Sequence, residues 1–99
     1  MSDYYTLDNR KAVPCSLHVW GAMMQDACSL RVAGTSIGDM RVSTVFLGLD
    51  RSFGEGPPLL FETMAFGLPE SEGEWQERCT TWEQAEAMHE AMCDRVRAL

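Results

Sequence analysis

Ninety-nine residues, 45% of them apolar and 23% charged, describe one globular domain spanning 1–99 and argue against wholesale disorder. The formal net charge of −7 argues against generic nucleic-acid binding, where neutralising phosphates supplies most of the affinity. No apolar run approaches the ~20 residues that span a bilayer. The opening MSDYYTLDNR lacks the basic region and apolar run of a secretory signal, so a cytosolic location is expected.

In chain order, residues 4–8 (YYTLD) read as a short strand closed by a turn at NRK. After Pro14, Ser16 is a suitable N-cap for a helix to Gln25, burying Leu17, Trp20, Met24 and Ala27 along one stripe. Gly21 weakens that helix by roughly 1 kcal/mol relative to Ala. Residues 29–36 (SLRVAGTS) alternate as a strand does, and Gly38-Asp39 offers a hairpin turn. Residues 41–49 (RVSTVFLGL) form the strongest strand, apolar on both faces, as expected of a central strand covered on both sides. Residues 59–66 (LLFETMAF) are comparable, and 74–80 (EWQERCT) place Trp75 and Cys79 opposite Gln76 and Arg78.

The last element carries the clearest pattern. Thr80 followed by Glu83 matches a capping box. Trp82, Ala85, His89, Met92, Val96 and Leu99 then recur at steps of three and four, with Met88 and Cys93 at the edges of the same arc. The order β-α-β-β-β-β-α predicts an α+β fold, an antiparallel sheet of four to five strands with two helices packed on it.

The chemistry-bearing residues are few. DRSFGEGPP, residues 50–58, has glycines but no Gly-Lys-Ser/Thr ending and too few acids for calcium, so it reads as a long hairpin connection. Glu62 interrupts an apolar strand and needs a cation, for which Arg41 and Arg31 are the candidates. Cys15 with His18 and His89 with Cys93 are conceivable zinc half-sites, but neither has a Cys-x-x-Cys signature, and His89 on an apolar stripe reads as a satisfied core histidine. Cys15, Cys28, Cys79 and Cys93 read as free thiols in a reducing compartment. No nucleophile, base and oxyanion element can be named together, so no enzyme and no cofactor are expected.

Charge is distributed unevenly. Residues 1–69 hold seven acids against five bases, whereas 70–99 hold eight against three. Glu70, Glu72, Glu74, Glu77, Glu83, Glu86, Glu90 and Asp94 are therefore the candidate partner-binding residues, four of them clustered opposite the apolar arc of the last helix.

The runs RVSTVFLGLDRSFGEGPPLLFETMAFG and RCTTWEQAEAMHEAM, between Arg41 and Met92, resemble a family of small uncharacterised phage and prophage proteins. The chain departs from that pattern at Arg51, where the family tends to have His, and at Met88, where Gly is usual. The resemblance implies phage origin and brings no activity or site. Small size and acidity are shared with anti-CRISPR proteins. The expectation is a non-enzymatic, phage-encoded inhibitor that binds a host defence protein with a basic surface in the host cytoplasm, with acidic charge mimicry of nucleic acid as one mode. The alternative is an accessory module binding a small ligand or metal near the loop and His89.

Overall fold

Asn9 and Arg10 both have left-handed backbone, with φ of 52° and 69°. In the computed structural model, which describes residues 3–26, 30–50 and 56–99, the turn they make folds β1 (Tyr5–Asp8) onto β2 (Lys11–Pro14). Positive φ at both central residues matches the strand twist of a tight hairpin. The expected lone first strand is thus half of a hairpin. Lys11–Pro14 gave no strand signal because it is short and ends in proline.

Ser16 caps α1 (Leu17–Met24), its hydroxyl accepting from the Val19 amide at 3.2 Å. The Trp20 indole donates to the Leu47 carbonyl at 3.1 Å and ties the helix to the end of the main sheet. Ala27, the predicted last residue of the buried stripe, lies outside the described residues, and Leu17 is exposed.

The main sheet is an antiparallel meander of β3 (Arg31–Ile37), β4 (Met40–Phe46), β5 (Phe61–Phe66) and β6 (Trp75–Cys79), in that spatial order. A single 3-10 turn, Glu70–Glu72, connects β5 to β6. Helix α2 (Trp82–Arg97) packs on all four strands. Together these elements make the α+β fold that the order of patterns predicts.

Two-residue periodicity sends Val42, Thr44 and Phe46 of β4 and Phe61, Thr63 and Ala65 of β5 to one face, where all are buried. From α2, Ala85, His89, Met92, Cys93 and Val96 are buried. The opposite sheet face is only half-covered: Ser43, Val45, Glu62 and Met64 keep partial exposure and Phe66 is exposed. The central strands are therefore covered on one side, not both. Their apolar residues on the second face are partly wet.

Two local expectations shift. The N-cap of α2 is Thr81, and its capping-box partner is Gln84 rather than Glu83. Glutamine closes the box as well as glutamate does. Leu99, assigned to the apolar stripe, lies beyond the helix and is 49% exposed.

Candidate functional site

The acidic surface arises because α2 must bury one stripe. Once Ala85, His89, Met92 and Val96 face the sheet, Glu83, Glu86, Glu90 and Asp94 are left exposed. Glu77 on edge strand β6 is also exposed, as are Glu70, Glu72 and Glu74 in the segment leading to it. The Arg95 guanidinium lies 4.1 Å from the centroid of the Trp75 ring, a cation–π contact. It brings the start of β6 against the last turns of α2.

Nearby cations do little to neutralise them. Strand alternation sets Arg78, the base between Glu77 and Glu83, on the other face of β6, where it pairs with Glu62, Nε to carboxylate oxygen at 3.0 Å. Arg97 pairs with Asp94 at 3.3 Å, and Arg95 is committed to Trp75. Among the described residues, Glu70, Glu72, Glu74, Glu77, Glu83, Glu86 and Glu90 have no ion-pair partner. Glu86 and Glu90 are four apart on the helix, a like-charge spacing that costs roughly 0.2–0.5 kcal/mol.

Glu62 finds neither Arg41 nor Arg31. The β5–β6 register sets it directly across from Arg78, and the Gln76 amide donates to the same carboxylate oxygen. Its role is to join two strands on the half-covered face.

His89 is the best-connected polar group of the core. Its Nδ1 is 2.7 Å from Thr44 Oγ1 and its Nε2 is 2.9 Å from Thr35 Oγ1, while Thr44 is hydrogen-bonded in turn to Thr63. Burial lowers the imidazole below its ordinary pKa, with Glu90 pulling the other way. With both ring nitrogens engaged, His89 has no free ligand atom for a metal. Among the described residues no group of three or more His, Cys, Asp and Glu side chains could hold one.

Cys15, Cys79 and Cys93 are free thiols; Cys28 lies outside the described residues. Burial pushes the Cys79 thiol up to about 11, opposed by its contact with the Thr81 carbonyl. A thiol in that state is a poor nucleophile at neutral pH. Most of the 50–58 loop is likewise outside the described residues, but its base is pinned where Asp50 accepts from the Leu59 amide at 3.2 Å.

No family model, curated protein or solved structure matches the chain. The fold and the surface therefore carry the functional argument. The acids were legible as a charge imbalance, whereas the threonines around His89 come from three different strands and no sequence spacing announced them. No helix of the described residues is long and apolar enough to cross a membrane.

Proposed function

We propose that the protein is a non-enzymatic, phage-encoded inhibitor that acts in the host cytoplasm by laying its acidic surface on a basic surface of a host defence protein. The observation that supports this reading is the set of seven exposed carboxylates without ion-pair partners on α2, β6 and the Glu70–Glu74 segment. Such a surface accelerates encounter with a basic groove and selects against acidic partners. If that groove normally holds nucleic acid, the carboxylates take the place of phosphates. The satisfied state of His89 and the raised pKa of Cys79 also favour binding over catalysis. Phage origin rests on the sequence resemblance.

Affinity capture from host lysate at low salt, read by mass spectrometry, tests the proposal. It should retain a basic nucleic-acid-handling protein that elutes with salt and whose activity falls when the inhibitor is added. Retention of only acidic or neutral proteins would contradict it.

A further inference from the structure

Beside the carboxylate surface, and sharing Glu83 with it, the β1–β2 hairpin and the first turn of α2 enclose an open cavity of about 410 Å³. That volume falls within the roughly 300–1,000 Å³ of small-molecule sites. Tyr5, Leu60 and Trp82 supply apolar wall, and Arg10, Lys11 and Glu83 supply charge.

Four features point to a ligand. Arg10 sits at a tight-turn position with φ of 69°, where Asn or Gly is the ordinary choice. Its guanidinium is held 5.1 Å from the centroid of the Trp82 ring. Neither Arg10 nor Lys11 has an ion-pair partner among the described residues, although Glu83 shares the cavity. Among the described residues the Trp82 indole N–H, shut off from solvent, has no acceptor, an uncommon condition for a buried donor.

The charges also limit what fits. Arg10, Lys11 and Glu83 are the charged residues of the lining, and Asp8 stands across the hairpin from Lys11, so a second negative charge on a ligand would meet carboxylates already in place. We infer that this cavity binds a small organic monoanion, a carboxylate on an aromatic or apolar body. Arg10 and Lys11 hold the head group, while Trp82 and Leu60 cover the body. A bidentate guanidinium–carboxylate pair supplies orientation as well as attraction.

Phenylacetate, its uncharged analogue phenylacetamide and inorganic phosphate are the probes, followed by amide and indole N–H resonances. Phenylacetate should shift the Trp82 indole and the Arg10 and Lys11 amides saturably, and phenylacetamide should bind about tenfold more weakly or worse. Arg10→Asn, which suits the left-handed backbone, should weaken phenylacetate binding by about tenfold. Lys11→Gln, on an exposed strand position, gives the same test if Arg10→Asn disturbs the hairpin. Absence of saturable shifts, equal binding of acid and amide, or unchanged binding in the variants would overturn the inference. Phosphate binding as tightly as phenylacetate would overturn the monoanion assignment. Partner-binding variants at Glu77, Glu86 and Glu90 leave the cavity lining intact, so the two proposals stand or fall separately.

Discussion

Thr44 of the second main-sheet strand and His89 of the C-terminal helix meet at 2.7 Å through Oγ1 and Nδ1, both residues buried. With Thr35 on the other nitrogen and Thr63 behind Thr44, a polar chain runs through an otherwise apolar interface. A buried network of this kind favours one register, because slippage would strand its hydroxyls without partners. His89→Ala should cost about 2–4 kcal/mol, through a cavity and unmet hydroxyls together. Urea denaturation measures it, and a loss below ~0.5 kcal/mol would mean that His89 is not held as described.

The same histidine predicts a pH dependence. In the unfolded chain it titrates near ~6.5, and in the folded protein lower, because burial opposes the charged form. As pH falls below about 6.5 the unfolded state binds the proton first, so stability declines until the folded imidazole also titrates. Above about 7 this group contributes no slope. Thermal midpoints should fall between pH 7 and 5, and the part of that fall due to His89 should disappear in His89→Gln.

Trp82 packs edge-on against Phe61, with ring centroids 6.2 Å apart and an interplanar angle of 88°. It anchors the start of the C-terminal helix on the sheet. Trp82→Ala should destabilise by about 3–5 kcal/mol, and a shift under ~0.5 kcal/mol would show that the helix start is not packed there.

Gly48 has φ of 68°, and a Cβ there would stand 2.7 Å from the Tyr5 carbonyl oxygen and 2.9 Å from atoms of Met23 and Trp20. Its own carbonyl accepts from the Tyr5 amide at 2.7 Å. Gly48→Ala combines left-handed strain of about 1–3 kcal/mol with a backbone clash. It should loosen the N-terminal hairpin and first helix before the main sheet, which hydrogen exchange resolved by segment would show. Uniform protection matching the parent would contradict this.

The pieces that the sequence made legible were those set by local period or composition. The C-terminal helix showed itself because its apolar and acidic residues separate at 100° per residue, and the central strands β4 and β5 because they are rich in Val, Thr and Phe. The second strand of the hairpin stayed hidden in four residues ending in proline, where no period can establish itself. Glu62 was correctly expected to need a cation, but choosing Arg78 over Arg31 and Arg41 required the β5–β6 register. The acidic surface was readable as a count. Strand alternation already placed Arg78 on the face opposite Cys79; what neither count nor period contained was its pairing with Glu62 there, which leaves Glu77 and the helix acids unneutralised.

The most direct test of that surface is the association rate with the captured host protein, followed by stopped flow across a salt series. The parent is compared with Glu77→Gln/Glu86→Gln/Glu90→Gln, whose exposed positions leave the core untouched. The parent rate should fall steeply with salt, and the variant should associate roughly tenfold more slowly at low salt with a flatter dependence. Equal rates at low salt would contradict the acidic-surface account and leave these carboxylates as a solvated face.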